Sequence, residues 1–453
     1  MAKSRVWYAD AGATNWTESL VCKAKDLFYE SKIDQCIEKG DKVAIKIHVG
    51  EWNRTSTLRP EFVAAIVEEV KACGGRPFVT ETTTLTYHAF NNRHNGTQEL
   101  EGAYRHGFTP EGLGCPIIIG DGWSGCDDVR VEIPEGNILK ETYIGAAIAA
   151  ADVLIPVVHA KGHSITSYGG AIKLIGIGAQ SKRGKYQTHL AMWGDPADQI
   201  GYPAVNTEKC LKKECAFWKQ CEDGCPTGAV HITNKGAEVD FAKCYLCYSC
   251  QVTCLFTGHE SIGFVGDYFP YAQIAMSDAA LGCLKLFDPG KVAFISYAMD
   301  ISPECDCFPW AGTPVAVDVG VLASKDIVAI DAATVDLIDR APIYPGSRAA
   351  ELGLQPGDDK FKAVNAFTPR IAIKAAERIG MGSTDYELVE YEPVLNAENA
   401  AKWQIQRYPT TMDLRKMLAQ HDLVKEVQPF KRVPFKDHPN WHAFEPAAPA
   451  GAR

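Results

Sequence analysis

The sequence predicts an α/β protein: a largely parallel sheet body interrupted by a small inserted α+β domain. Two observations predict this fold. Strand-like apolar runs alternate with helix-like runs on both sides of residues 206–262, and half of the sixteen cysteines fall inside that interval. Such alternation is typical of α/β domains built on a parallel sheet. We therefore expect one body in two parts, residues 1–205 and 263–395, an insertion at 206–262 and a C-terminal extension at 396–453. Two separate α/β domains flanking the insertion are the alternative.

The predicted elements follow from residue pattern and boundary residues. In the first part, strands are predicted at 43–49, 76–82, 115–120 and 153–158, and helices at 59–75, 96–108 and 141–151. Pro60 near the start of one helix and Gly74–Gly75 at its end favour those boundaries. In the second part, strands are predicted at 291–299, 315–321 and 386–391, and helices at 326–339 and 367–380. The tail from about residue 425 is rich in proline and aromatic residues, and we expect it to wrap the body or mediate assembly.

Composition excludes several classes of protein. The 453 residues are 46% hydrophobic and 23% charged, as in ordinary globular proteins. A net charge of −10 gives no broad basic surface for nucleic acid. The N-terminal residues contain no apolar signal segment, and no run of 18 apolar residues predicts a membrane span. We expect a cytoplasmic protein, with homo-oligomer formation left open.

The clustered cysteines have the spacing of iron–sulfur ligands. The second run reads C-x2-C-x2-C-x3-C, and the first run ends before Pro226; together they comprise Cys210, Cys215, Cys221, Cys225, Cys244, Cys247, Cys250 and Cys254. Two-residue spacings let the thiolates of one loop converge on a cluster, while the last cysteine of each run reaches the other cluster. The pattern predicts two [4Fe–4S] clusters, with zinc binding and purely structural cysteines as the alternatives.

At these residues the segment resembles a bacterial-type two-cluster ferredoxin domain, and CPTGAV is a familiar ending of one half of such a domain. The resemblance implies that one cluster is held by Cys210, Cys215, Cys221 and Cys254. It implies that the other is held by Cys244, Cys247, Cys250 and Cys225. The first run departs from the family pattern through its x4 and x5 spacings, and Leu255 replaces the proline that usually follows the last cysteine. If one cluster is missing, we expect it to be the first.

Polar residues recur where the predicted strands end, which is where open α/β sheets bind ligands. They are Lys46 and His48, Glu81, the trio His159, Lys161 and His163, the pair Cys305 and Cys307, and Asp318. Residues two apart in an extended chain share a face. The pattern therefore predicts that these residues form one polar site. The alternative is that they are helix caps, satisfied surface or core histidines and partners of nearby lysines. For Cys305 and Cys307, the choices are a third metal or redox-thiol site, buried packing, or a disulfide.

A glycine-rich helix entry predicts an anion pocket. Gly169 and Gly170 precede an apolar helix that carries Lys173, and three basic residues follow, Lys182, Arg183 and Lys185. Backbone N–H groups at a helix start favour anions. The alternative is a tightly packed helix start beside a solvated basic loop.

Three segments, KGHSITSYGGAIKLIGIGAQSKRGK, CDC and VAVDVGVLASKDIVAIDAATVDLI, together resemble the DUF362 proteins. The resemblance spans residues 40–340 and implies a discontinuous body with a ferredoxin-like 2[4Fe–4S] insertion, but no established reaction. GHSITSYGGAIK is also similar to the glycine-rich helix entry of lactate racemase-like proteins, whose cofactor is a nickel pincer, which is an analogy of fold only.

The leading hypothesis is an iron–sulfur oxidoreductase. Electrons from a partner such as ferredoxin or a reductase would pass through the two clusters to a small anionic substrate in the body. Lys161, Lys173 and Arg183 would bind the anion, His159 or His163 would transfer protons, and Cys305 and Cys307 would hold a metal or act as redox thiols. The alternatives are a non-catalytic electron-transfer or assembly subunit and a metal-dependent isomerase or racemase. The sequence leaves flavin binding open.

Overall fold

An eight-stranded sheet with helices packed around it forms the body, which confirms the predicted α/β class. In this computed structural model the described residues are 3–85, 91–193, 204–259, 261–263, 268–396, 399 and 416. The chain divides into two compact units, residues 1–395 and 396–453. The predicted C-terminal extension and its tail lie almost wholly outside the described residues.

The strands and helices have the following bounds in the described residues. The strands are β1 (Ser4–Asp10), β2 (Lys42–Lys46), β3 (Arg76–Glu81), β4 (Ile117–Ile119), β5 (Asp128–Glu132), β6 (Glu141–Gly145), β7 (Val153–His159), β8 (Lys161–His163), β9 (Ser167–Gly169), β10 (Ala204–Val205), β11 (Val230–Thr233), β12 (Gly236–Val239), β13 (Ile262–Gly263), β14 (Phe294–Ala298), β15 (Gly320–Ser324) and β16 (Tyr386–Glu390). The helices are α1 (Leu20–Glu30), α2 (Pro60–Ala72), α3 (Gly96–Arg105), α4 (Pro110–Leu113), α5 (Ala146–Ala149), α6 (Ala171–Gly176), α7 (Lys182–Leu190), α8 (Trp218–Asp223), α9 (Ser249–Phe256), α10 (Phe269–Leu284), α11 (Ile327–Arg340), α12 (Arg348–Glu351), α13 (Lys360–Asn365) and α14 (Arg370–Arg378). None of the helices in the described part of the chain has the length and apolarity that a membrane span requires.

The main sheet is largely parallel. Its strand order is β16-β1-β15-β14-β7-β2-β3-β4. The pairs from β14 through β7, β2 and β3 to β4 are parallel, whereas β15 pairs antiparallel with both of its neighbours. The carboxyl ends of β14, β7, β2 and β3 therefore lie side by side at one edge.

Both faces of the sheet are buried. On β7, Leu154 and Val158 pack in the core that includes α6, α10 and α11, while Val153, Ile155 and Val157 pack in the core that includes α1 and α2. Strands covered on both faces read as continuous apolar runs, because alternate residues serve opposite cores. This explains why the stretch 153–158 contains no charged residue.

Two predicted elements are wrong. The predicted helix at 141–151 begins instead as strand β6, which pairs antiparallel with β5, and helix α5 follows it for only four residues. Thr142, Tyr143 and Ile144 have high strand propensity. Their pairing with β5 outweighs the helix propensity of the alanines that follow. The strand predicted at 315–321 starts later, at Gly320. Gly320 has a φ of +143°, and a Cβ there would lie 2.1 Å from the Ala9 carbonyl oxygen, so this position requires glycine.

The cysteine-rich segment is a small α+β unit with adjoining ends. It contains helices α8 and α9 and the antiparallel hairpin of β11 and β12. At its base, β10 pairs antiparallel with β13. The chain therefore enters and leaves the segment at neighbouring points, which is the geometry an insertion requires.

The first turn of α6 is held by a side chain from α11. The carboxylate of Asp331 accepts hydrogen bonds from the backbone N–H groups of Ala171 (2.7 Å) and Ile172 (2.9 Å). Burial raises the pKa of Asp331 to about 7, although these two hydrogen bonds oppose the shift. The carboxylate thus satisfies two N–H groups that a helix start leaves without intrahelical partners.

We predict that Asp331→Ala lowers the free energy of unfolding by about 2–4 kcal/mol, because two buried N–H groups lose their acceptor. Asp331→Asn should cost less, since its amide oxygen still accepts one hydrogen bond. Urea denaturation measures both effects. Asp288 is exposed, so Asp288→Ala should stay within about 0.5 kcal/mol of the wild type. Equal losses for Asp331→Ala and Asp288→Ala would contradict the role of Asp331.

Candidate functional site

A cavity of about 130 Å³ lies where the carboxyl ends of four neighbouring strands meet. On the scale at which one water needs about 10–15 Å³, it holds on the order of ten waters, the size of a small metabolite. His48 follows β2, Glu81 ends β3, Lys161 and His163 belong to β8 directly after β7, and Cys307 follows β14; all five line the cavity. The strand order therefore brings together side chains far apart in sequence.

Cys305 lies behind the cavity wall and is surrounded by hydrogen-bond donors. It is buried, with the Lys173 Nζ at 3.5 Å from its sulfur. Burial alone would raise the pKa of Cys305, but hydrogen bonding from Cys307 and His163 and the charge of Lys173 lower it well below the usual value. The same hydrogen bond raises the pKa of Cys307, and burial adds to the rise. Cys305 is thus held as a thiolate, while Cys307 keeps its proton and faces the cavity.

The two histidines beside Cys305 have their tautomers fixed by backbone N–H groups. His163 Nδ1 accepts from Ile165 N (3.1 Å) and Thr166 N (3.0 Å), and His48 Nδ1 accepts from Gly50 N (3.0 Å). Burial lowers the pKa of both rings, to about 4 for His48, with hydrogen bonding to Cys305 opposing the shift. Each neutral ring therefore carries its proton on Nε2 and can donate it to the Cys305 sulfur.

The same residues could hold a metal ion. Ligand atoms of His163, Cys305 and Cys307 all lie within 4.8 Å of one another, the one such group among the described residues. Two thiolates and one imidazole suit zinc, iron or nickel. Coordination through His163 Nε2 would displace its proton, although a metal-binding histidine normally donates from its other nitrogen. These three residues are thus a possible metal site, although the His163 tautomer in this structure favours a hydrogen bond from Nε2 to Cys305 over coordination through that atom.

Asp306, between the two cysteines, is the centre of a buried ion cluster. Its carboxylate lies 2.9 Å from His159 Nδ1, 3.2 Å from Lys161 Nζ and 3.5 Å from an Arg54 nitrogen. Burial would raise the pKa of Asp306, but His159 and Lys161 hold it far below the usual range. His159 Nε2 faces the Met299 carbonyl at 2.9 Å, so both ring nitrogens point at acceptors. His159 therefore braces this cluster and does not line the cavity.

Cations dominate the polar part of the cavity wall. Lys161, Lys173, Lys185 and Arg93 line it, with Glu81 as the acidic lining residue. Burial would raise the pKa of Glu81, but the charge of Lys46, whose Nζ lies 2.6 Å away, lowers it to about 2. A wall with more cations than carboxylates favours an anionic ligand.

Lys185 is held by uncharged partners. Its Nζ donates to Thr82 Oγ1 (2.6 Å) and to the Thr83 carbonyl (2.5 Å). Burial lowers the pKa of Lys185 to about 8, although the charges of Asp121 and Glu81 oppose the shift. Its charge therefore depends on pH within the range in which proteins are assayed.

Several predicted ligand residues lie away from this wall. Gly169 and Gly170 do line the cavity, but the N–H groups of the following helix turn are taken by Asp331. Lys182 donates to backbone carbonyls, the exposed Arg183 lies over the Tyr143 ring, and the exposed Asp318 accepts from the Asp300 N–H. Anion contacts from the helix start itself are thus not available in this structure.

The cysteine-rich segment supplies one wall of the cavity. Tyr248, Val252, Leu255 and Phe256, on or next to α9, line it together with Cys307 and Phe308. The Phe256 ring packs edge-on against Phe308, with ring centroids 4.8 Å apart, and against Trp310, at 4.7 Å. The segment that carries the clustered cysteines therefore contacts the segment that carries Cys305 and Cys307.

Residues 43–336 match the model of a family described as a domain of unknown function, DUF362. The chain belongs to the DUF362 family. No curated protein matches it significantly. Among solved structures, it is similar to the lactate racemase apoprotein from Thermoanaerobacterium thermosaccharolyticum, at 9% identity and a TM-score of 0.32, with 88% of this chain and 85% of that chain covered. A likeness at this TM-score supports no inference about function.

In this DUF362 protein the eight clustered cysteines form two groups. Cys210, Cys215, Cys221 and Cys254 line one small cavity. In the other group, burial raises the pKa of Cys250, and the charges of Cys247, Cys244 and Cys225, with Cys221 of the first group, raise it further. The charges of Cys247 and Cys225 also raise the pKa of Cys244, where burial is the main cause. In each group three cysteines come from one run and the fourth from the other. We call them the first and second quartet.

Backbone N–H groups point at several of these sulfurs. Ala229 N lies 3.1 Å from Cys225 Sγ, Ser261 N lies 3.1 Å from Cys254 Sγ, and Leu246 N lies 3.4 Å from Cys244 Sγ. Hydrogen bonds of this kind stabilise negative charge on sulfur and tune the potential of clusters bound there.

Sequence reasoning missed several residues of the site, among them Asp306 at the centre of the ion cluster. Arg93, in a loop, and His189, on α7, line the cavity, but neither follows a strand, so the strand-end rule did not indicate them. Tyr248 lines the cavity from a position between two of the clustered cysteines. Arg54 reaches the Ser302–Trp310 segment from a turn after β2. Only Tyr248 carried a signal, because it lies between two of the clustered cysteines.

We predict that anion binding weakens as the pH rises through about 8, because the folded-state pKa of Lys185 is lowered to that value and the ammonium loses its proton above it. Isothermal titration with sulfate, whose charge is constant here, should give a dissociation constant that rises between pH 7 and 9. Lys185→Gln should bind weakly at every pH, whereas Lys243→Gln, at an exposed position, should behave like the wild type. Wild-type binding that is unchanged across this range would contradict the assignment.

We also predict that Asp306→Ala destabilises the protein by about 3–5 kcal/mol, because it leaves buried cations without their carboxylate. Thermal or urea unfolding measures the loss. Asp385 forms an exposed ion pair with Lys3, so Asp385→Ala should cost no more than about 1 kcal/mol. Similar losses for the two variants would show that the Asp306 cluster is not a structural centre.

Proposed function

We propose that this DUF362 protein is an iron–sulfur oxidoreductase that reduces a small anionic substrate in the cavity at the edge of the sheet. The observation that carries the proposal is the shared wall: α9, which holds Cys250 and Cys254, lines the same cavity as Cys307. A cysteine-rich segment that was merely attached to the body, without exchanging electrons with it, would not need to line a polar cavity of the body.

The two quartets fit [4Fe–4S] clusters better than zinc. A tetrahedral zinc site with Zn–S bonds of about 2.3 Å places its sulfurs about 3.8 Å apart. Among the described residues, which include all eight clustered cysteines, no three of them bring their sulfurs within 4.8 Å of one another. This wider spacing, together with the N–H groups directed at the sulfurs, supports a larger inorganic core. When bound, such clusters supply single electrons at low potential, on the order of −400 mV.

The residues of the cavity have separate roles in this proposal. Lys173, Lys185 and Arg93 bind and orient the anion, because all three are cations that line the cavity. His163 and Cys307 lie on the wall and hold protons that they share in hydrogen bonds with Cys305. They are the candidates for proton transfer to the reduced substrate, and each would give up its hydrogen bond with Cys305 on doing so. Phe256, Phe308 and Tyr248 exclude water from one side.

Cys305 supports this site from behind the wall. Its thiolate accepts from Cys307 and Lys173 and so holds both in place at the cavity wall. Alternatively, His163, Cys305 and Cys307 would hold a metal ion at this site through two thiolates and one imidazole. Such an ion would supply Lewis-acid chemistry to a substrate in the cavity. Electrons would come from a low-potential donor such as ferredoxin or a reductase.

We predict nearly eight iron and eight acid-labile sulfide per chain after anaerobic purification. Cys305→Ser combined with Cys307→Ser should retain the iron and its visible spectrum but lose reduction of the substrate. Cys126 is exposed, and Cys126→Ser is the matched control that should retain both. Four irons or fewer would overturn the two-cluster proposal, and loss of iron in the double variant would make the pair structural. Stoichiometric zinc or nickel beside the iron would identify the metal form.

A further inference from the structure

Five apolar or aromatic residues form one continuous side of the cavity, which we call the apolar side. Leu85, Ile165, Tyr248 and Val252 are buried members of a single hydrophobic cluster, and Phe256 packs against that cluster. All five line the cavity. Leu85 and Ile165 belong to the sheet body, whereas the other three lie on or next to α9. Two parts of the fold therefore build the apolar side together.

The polar groups around the cavity also adjoin one another. His48 Nδ1 lies 3.6 Å from a Glu81 carboxylate oxygen. Hydrogen bonding joins His48 and His163 to Cys305, and the Lys173 Nζ lies 3.5 Å from the same sulfur. The cavity therefore has a polar side gathered around Cys305 in addition to its apolar side.

The histidine next to the apolar side is uncharged. His189 stacks on the Tyr248 ring, with ring centroids 5.2 Å apart, and both residues line the cavity. Burial lowers the pKa of His189 to about 4, although a hydrogen bond to the Lys185 carbonyl opposes the shift. At neutral pH this ring therefore adds no charge beside the apolar side, where an apolar group of a ligand would be removed from water.

Lys185 differs from the other cations that line the cavity. Arg93, Lys161 and Lys173 each have a carboxylate or thiolate within 3.5 Å of a side-chain nitrogen. Lys185 donates instead to a hydroxyl and a carbonyl oxygen, and among the described residues it has no ion-pair partner. A ligand with one negative charge would supply the partner that Lys185 lacks.

We propose that the substrate is a monocarboxylate with a short apolar chain or ring, whose carboxylate binds at Lys185 and whose apolar part packs against the apolar side. The inference rests on the proposed function, because it names the class of anion that the protein would reduce. Small-molecule sites commonly combine a mostly apolar lining with a few polar groups that fix the orientation of the ligand. A compact anion such as phosphate would leave the apolar side facing water. A cavity that holds on the order of ten waters has room for an acid of about six carbons.

A series of saturated acids tests the substrate class on the wild-type protein, because their binding can be measured without turnover. Isothermal titration at neutral pH should give dissociation constants that fall from acetate through butyrate to hexanoate, by about two- to four-fold for each added CH2. Hexanamide, which has the chain of hexanoate without its charge, should bind at least about ten-fold more weakly than hexanoate. Inorganic phosphate should also bind more weakly than hexanoate. Equal affinities for acetate and hexanoate, or tighter binding of hexanamide or phosphate than of hexanoate, would overturn the proposal.

Variants of the two sides separate the two ends of the ligand. Ile165→Thr and Val252→Thr, which place a hydroxyl on the apolar side, should each reduce the gain per CH2 and leave acetate binding unchanged. Lys185→Gln should weaken acetate and hexanoate by the same factor. Ile118 is 40% exposed on β4, and Ile118→Thr is the matched control that should leave the whole series unchanged. If the gain per CH2 stays at the wild-type value in both Ile165→Thr and Val252→Thr, the apolar side does not hold the chain and the proposal fails.

Iron analysis of the same wild-type sample distinguishes failure of this inference from failure of the proposed function. A protein with its full iron content whose affinity does not change along the series would overturn the substrate class alone. A protein without iron whose affinity rises along the series would refute the proposed reduction and still support the class of ligand.

Discussion

The buried carboxylate of Asp306 is the contact on which the site depends. It joins the segment after β14 to the turn after β2 through Arg54, to the end of β7 through His159, and to β8 through Lys161. Buried cations are costly unless a charge of opposite sign compensates them. Because the carboxylate compensates them here, the adjacent cysteines on each side of it are held against the cavity wall.

The cavity depends in turn on two independent parts of the chain. The sheet fixes His48, Glu81, Lys161 and His163 at adjacent strand ends, and helices α6 and α7 supply Lys173 and Lys185. Helix α9 of the cysteine-rich segment lines another side of the cavity. The contact of Phe256 with Phe308 and Trp310 joins these parts. Residues of both parts line the cavity beside the Cys307 thiol, so the electron transfer proposed for the cysteine-rich segment and the chemistry proposed for the body would meet there.

The sequence was informative where pattern and topology agree. Alternation of strands and helices predicted the α/β body, and the rule that ligands meet at strand ends pointed to His48, Glu81, His163 and Cys307, which the strand order makes neighbours. The sequence was not informative where a contact with a residue distant in the chain determines the role of a group. The anion role inferred for the turn after Gly170 could not anticipate that Asp331, 161 positions away, would occupy its N–H groups. Nor could a pattern assign His159 to an ion cluster and His163 to the cavity.

The pairing of β10 with β13 gives the cysteine-rich segment a closed base. If the quartets hold clusters, as proposed, loss of the inorganic cores would act first on a segment that joins the body at one place, while the main sheet keeps both of its apolar cores. Restoring activity would then require only the cysteine-rich segment, and not the sheet, to fold again around new clusters.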